Sequence, residues 1–257
     1  MPKITRRRTV TGGTAAPPTA PASAAVIATI DLAAVRHNYR ALVRRAGAAS
    51  CAAVVKGDGY GLGMLPVATV CHQSGARSFF VARLEDGIAL RETLDDAEVA
   101  ILDGLRGRQP DEFTRFRLQP VLGDVGDIER WFASERPTAA FIHIDTGMNR
   151  LGVPPHEFSE RVVPMLASKK GARIAGYMTH LVSADEIDIA LCRQQVESFR
   201  TALAGAPAAP RSIVNSSGLY LDPNWVGELA RPGKSLAGIN PLPPGEPNPM
   251  RQAMLVE

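Results

Sequence analysis

Val26-Ile27-Ala28-Thr29-Ile30 reads as a strand, Asp31 as a helix cap, and Leu32, Val35, Tyr39, Leu42 and Val43 as the apolar face of a helix. This strand–cap–helix unit sets the pattern of the chain. A short apolar run at 51–55 precedes a helical segment at 64–75, and strands at 78–82 and 98–102 bracket a helix at 84–94. Further strand candidates lie at 118–122, 139–145, 173–179 and 211–215. Helical segments separate most of them, the longest at 186–204. Repeated β–α units require a parallel sheet covered on both faces. Seven or eight units in about 220 residues predict an α/β fold, a closed (β/α)8 barrel of the TIM type. A doubly wound open sheet is the alternative, but its phosphate fingerprint G-x-G-x-x-G does not follow the first strand.

Composition agrees with one domain of this size. Of 257 residues, 45% are hydrophobic and 21% charged, a balance that supports a buried core. No run approaches the roughly 20 apolar residues of a membrane span, so no membrane partner is expected. Cys51, Cys71 and Cys192 are odd in number and far apart. They read as small buried hydrophobes, and no metal site is indicated. The net charge of +3 traces to residues 1–24, which hold Lys3, Arg6, Arg7 and Arg8 and no acid. The remainder has 25 basic and 26 acidic residues, so no nucleic-acid partner is expected. Residues 1–24, rich in Ala, Pro, Thr and Gly, are expected to form a disordered tail. Ala22-Ser23-Ala24 resembles an export cleavage site, but Pro17, Pro18 and Pro21 interrupt the apolar run that a signal needs. A cytoplasmic location is therefore expected. The barrel is expected over 25–242, with a linker and further segment at 243–257.

In such a barrel, chemistry collects where strands end and loops begin. The polar motifs fall there. Lys56 follows 51–55, Asp145 to Arg150 follow 139–145, His180 follows 173–179, and Asn215-Ser216 follow 211–215. The first motif is Val54-Val55-Lys56-Gly57-Asp58-Gly59-Tyr60-Gly61-Leu62-Gly63. A lysine leaving an apolar strand enters a low-dielectric site, which lowers its pKa and makes it nucleophilic. That suits Schiff-base formation with an aldehyde cofactor; the glycines permit close approach, and Tyr60 is in reach of a phosphate. On this motif alone, a lysine snorkelling from a strand end explains the sequence equally well.

The segment resembles the pyridoxal-phosphate (PLP) lysine motif of the alanine racemase family, where Ala-Asp-Ala-Tyr-Gly-His-Gly or a close variant follows the lysine. The resemblance covers residues 26–241, and the family's other motifs follow in order. His143-Ile144-Asp145-Thr146-Gly147-Met148-Asn149-Arg150-Leu151-Gly152 is similar to its Asp-Thr-Gly-Met-x-Arg-x-Gly run. This implies that Arg150 holds the substrate carboxylate and the phenolic oxygen of the cofactor, a role that suits a planar guanidinium fork. Tyr177-Met178-Thr179-His180-Leu181-Val182-Ser183-Ala184-Asp185 resembles the family's Thr-His-Phe motif, which implies that His180 packs against the pyridine ring. Asp185 reads as the cap of the next helix. Asn215-Ser216 and Arg231-Pro232-Gly233 resemble its phosphate and pyridine motifs. They imply phosphate binding by Ser216 and the Gly233 backbone, and donation from Arg231 to the pyridine nitrogen. A guanidinium stays protonated and cannot take up a ring proton, so a neutral ring withdraws electrons less, which discourages side reactions. The resemblance implies a PLP-dependent racemase acting on L- and D-alanine, with Lys56 abstracting and returning the Cα proton.

Four departures bear on these expectations. Leu62 replaces the histidine of Gly-His-Gly. His143 stands where some members carry a carbon-dioxide-modified lysine that orients the arginine, so a histidine or another group must orient Arg150. Ala237 replaces the phosphate-contacting tyrosine of Leu-Tyr-Gly, and Lys234 is a candidate for replacement charge. Finally, family members continue into a β-rich domain that supplies a second acid/base, a tyrosine, across a dimer interface. Here Met254-Leu255-Val256-Glu257 falls where that domain is expected to begin. The resemblance then implies an amino-acid substrate, a homodimer weakened by the missing domain, and an impaired activity. A non-catalytic, single-domain PLP-homeostasis protein is the alternative function, and a product of a disrupted racemase gene the third.

Overall fold

The computed structural model describes residues 27–135, 137–169 and 171–256; the expected tail over 1–24, and Val26 of the first expected strand, lie outside them. The first strand is Ala28–Ile30 (β1), and it stands apart from the barrel, paired antiparallel with Met254–Val256 (β11). Its exposure explains this. Barrel strands are buried on both faces, whereas Ala28 and Thr29 are exposed. Asp31 caps the helix Leu32–Ala46 as expected, accepting from the Ala33 and Ala34 N–H groups. Val35, Tyr39 and Leu42 are buried on that helix, but Val43 is exposed at 38% and faces away from the core.

The barrel begins at Ser50–Cys51 (β2) and Ala53–Val54 (β3), one run interrupted at Ala52. Next come Ser78–Val81 (β4), Glu98–Ile101 (β5), Gln119–Leu122 (β6), Ala140–His143 (β7), Ile174–Met178 (β8) and Arg211–Ser212 (β9). From β3 to β9 these form one seven-stranded parallel sheet in chain order. An eighth strand, Leu229–Ala230 (β10), closes it by pairing parallel with β2. Ala52 N donates to Ala230 O (2.9 Å) and Val54 N to Pro232 O (3.0 Å), while Arg231 N reaches back to Val214 O (3.0 Å). The sequence reading missed β10, because two residues between Gly227 and Pro232 carry no periodicity. It also drew the strand at 211–215 too long.

Alternation along each strand sorts the core into two parts. Ala52, Val54, Phe80, Ala100, Val121, Phe141, Met178 and Leu229 face the barrel axis, with the Phe80 and Phe141 rings 5.2 Å apart. Their neighbours, among them Phe79, Val99, Ile142 and Tyr177, join the larger core beneath the helices. Extending the inward parity by one step at the strand ends brings Lys56, Ala82, Leu102, His143, His180 and Arg231 to the barrel mouth. All six line one cavity there.

Candidate active site

The glycine-rich segment after β3 does more than give room. Gly57, Asp58, Gly59 and Tyr60 all have φ between 52° and 65°, a turn of left-handed helix. Left-handed backbone costs an L-residue roughly 1–2 kcal/mol, so glycine at 57 and 59 halves the penalty of the turn and leaves it to Asp58 and Tyr60. Gly61 N closes on Gly57 O (3.0 Å), and Met64 N donates to Asp58 Oδ1 (2.8 Å), starting the helix Met64–Gln73. The turn holds Lys56 at the mouth and brings Tyr60 back over Gly233.

Asp145, Gly147 and Gly152 of the second motif build a loop. Asp145 Oδ1 accepts from the N–H groups of Gly147 (3.0 Å), Met148 (2.8 Å) and Asn149 (3.1 Å), and Oδ2 from Arg150 N (3.2 Å). Burial pushes the Asp145 pKa up, but these bonds outweigh it and hold the group ionised below its ordinary range. A side chain at Gly152 would lie 2.7 Å from Asp145 N. The loop ends in Arg150, which reaches the cavity exposed and makes no side-chain hydrogen bond or ion pair among the described residues.

His143 and His180 stand at the ends of β7 and β8. Burial, followed by the charge of Arg231, pulls their pKa values down to about 4 and about 3, so both are neutral imidazoles. His143 is 6% exposed, and its Nε2 has no partner among the described residues. The His180 backbone is fixed by Gln195, whose Nε2 donates to His180 O (2.9 Å) while its Oε1 accepts from Val182 N (3.0 Å). Arg231 is buried. It donates to Ser212 Oγ and Thr179 O and lies 6.0 Å from the Phe80 ring centroid. Burial lowers its pKa to about 9, which leaves it cationic at neutral pH. Ser216 Oγ accepts from Gly233 N (3.0 Å) and Ser235 N (3.3 Å), so a hydroxyl and two backbone donors converge.

Lys56 faces this set. Burial, then Arg150, then Arg231 lower its pKa, and Asp103 opposes them. All seven residues singled out in the sequence, Lys56, Tyr60, Arg150, His180, Ser216, Arg231 and Gly233, line one cavity of about 540 Å³. Two expectations fail. Asp185 caps no helix; the next one begins at Ala190. Asp185 is instead ion-paired with Lys234, so the lysine's charge is already partnered. The sequence reading passed over Asp103 and Gln195. Gln195 was detectable, since it interrupts the apolar face of Cys192, Val196, Phe199 and Ala202.

A closed (β/α)8 barrel with an inward lysine and converging cationic groups at its C-terminal mouth is of the type that hosts chemistry at strand ends. Its sequence narrows this further: residues 30–241 match the family model for the alanine racemase N-terminal domain. The catabolic alanine racemase of Mesorhizobium japonicum is 41% identical over 251 residues, 96% of this chain and 64% of that protein. An alanine racemase of Acidiphilium cryptum is 39% identical over 230 residues, 88% of this chain and 63% of that protein. In structure, the alanine racemase of Bartonella henselae with covalently bound pyridoxal phosphate superposes with a TM-score of 0.85 at 31% identity, over 91% of this chain and 66% of that one. This chain belongs to the alanine racemase family. It spans between 55% and 64% of the length of the curated relatives it matches.

Proposed function

We propose that this chain holds pyridoxal 5′-phosphate through Lys56 and exchanges the Cα proton of an amino acid, alanine foremost, interconverting its L and D forms. The observation that carries this is the meeting of a nucleophilic lysine with a donor set for two anions in one cavity. Lys56, Arg150, Arg231 and Lys234 outnumber Asp103 and Asp185 among the charged groups of the wall. A side chain at Gly233 would lie 2.8 Å from the Tyr60 ring, so Ser216, Tyr60 and the Gly233 backbone form a cradle closed to anything but glycine. That donor chemistry fits a phosphate ester bearing an aldehyde.

When bound, the cofactor supplies an electron sink for the pair left at Cα. The rest falls to the chain. Lys56, its pKa lowered by burial, is the amine that takes and returns the Cα proton. Arg150 offers an unengaged fork to a substrate carboxylate. Neutral His180 gives an uncharged wall, and Arg231 a permanent donor that accepts no proton. Ser216 and the Gly233 N–H hold the phosphate, with Tyr60 against them.

Borohydride reduction and peptide mapping test the assignment: the pyridoxyl group is expected on Lys56. An adduct elsewhere overturns it. Incubation with L- and D-alanine separately in D2O then reads chemistry. Lys56 delivers protons to the face of Cα that it occupies, so deuterium uptake at Cα is expected from at least one isomer. Binding without any exchange would favour a carrier.

A further inference from the structure

Asp103 enters the cavity wall from a strand end that no motif marks. Its N–H donates to Ala82 O (3.0 Å), directly after the Leu102 N bond to Val81 O (2.9 Å). The following turn is fixed as well. Gly104 has φ 64°, and a side chain there would lie 2.8 Å from Val121 O. Sheet and turn together hold Asp103 at the mouth, on the strand two removed from the one that ends in Lys56. Its carboxylate pairs with Arg106 at 3.4 Å, and that arginine is 70% exposed. Such a pair contributes little. The cavity's other carboxylate, Asp185, is taken up by Lys234.

We propose that Asp103 is a positioning residue for Lys56: it holds the ammonium form of the amine toward the cavity and offsets the guanidiniums of Arg150 and Arg231. The proposal rests on the reading of Lys56 as the reacting amine. Lys56 and Asp103 line the same cavity, and of the charged groups acting on Lys56 there, Asp103 is the one that favours its protonated state. The other groups facing it do not compete. His143 and His180 are neutral, and burial keeps the Tyr60 phenol protonated. A base that must keep a proton between taking and returning it needs this counter-charge. Without it, burial and two cations would leave a weaker base.

The test needs no cofactor. Competitive labelling of the free chain with isotopic acetic anhydride across pH, read by mass spectrometry at Lys56, gives the titration midpoint of that amine. Asp103→Asn is expected to lower the midpoint by about one pH unit, a tenfold loss of proton affinity. Asp103→Glu is expected to restore it, and Asp103→Ser provides a second neutral variant should the first fold poorly. Arg106→Ala is expected not to lower it. An unmoved midpoint in a folded neutral variant overturns the proposal, as does an equal fall in Arg106→Ala. Failure of Lys56 to take the pyridoxyl group would be a separate result, because the midpoint is measured without it.

Discussion

Replacing Gly233 by alanine tests how tightly the phosphate cradle is built. The added methyl would lie 2.8 Å from Cε2 and Cζ of Tyr60 and closer still to its hydroxyl. Carbon atoms pack at about 3.5–4.0 Å, so the ring must retreat by about 1 Å. Tyr60 has little freedom to yield, because it sits in the left-handed turn. Overpacking of this kind costs about 1–3 kcal/mol. If the ring moves aside, the loss passes to the ligand: a hydrogen bond to a charged group is worth about 1.5–3 kcal/mol, or about 10–150-fold in affinity. Urea unfolding of the free chain and fluorescence titration with pyridoxal phosphate read the two costs. Tyr60→Ala closes a double-mutant cycle. In that background Gly233→Ala is expected to cost clearly less than in the parent chain, since the obstructing ring is gone. An equal cost in both backgrounds would refute the packing argument.

Two further outcomes follow from buried polar groups. His143 has a folded pKa of about 4 against an ordinary 6.5, so below pH 6.5 the unfolded chain binds the proton first; stability falls as pH drops and levels off once pH passes below the folded value. From pH 7 to pH 5 this group removes about 2 kcal/mol, and His143→Gln should lessen the slope of that part of a urea-midpoint-against-pH curve, leaving the share of His180. Gln195→Leu keeps the volume but strips the partners from His180 O and Val182 N, and is expected to cost about 2–4 kcal/mol in chemical denaturation; a near-neutral result would mean that water replaces the amide.

Much of the barrel was legible because burial on both faces leaves long apolar runs that local turn residues delimit. Strands at 78–82 and 98–102 and the helix 84–94 reappear within a residue or two. What escaped depended on distant pairing. Leu229–Ala230 is a strand only because Ser50–Cys51 lies beside it, and Ala28–Ile30 reads as a barrel strand until Met254–Val256 is seen to be its partner. The site residues were visible as polar groups at strand ends, and the inward parity of Lys56, His143, His180 and Arg231 could have been counted from Val54, Phe141, Met178 and Leu229. Asp103 has no such signature, since it lies past its strand, where a turn sets its direction. Nor does sequence show that Lys234 is bound to Asp185 across 49 residues.

Closure by β10 also dictates when a ribosome-borne chain can finish its barrel. Ser50 pairs with Leu229, whereas β4 follows β3 within a few turns of chain. At about 5–20 residues per second, the edge at 50–54 waits roughly 10–35 s for its last neighbour. Through that interval, an unpaired row of backbone donors and acceptors faces solvent, a template for joining other nascent chains. Arg231 and Gly233 arrive with the same strand, so edge protection and completion of the cavity are one event. Co-translational crowding should therefore press hardest on this fold just before residue 229 emerges.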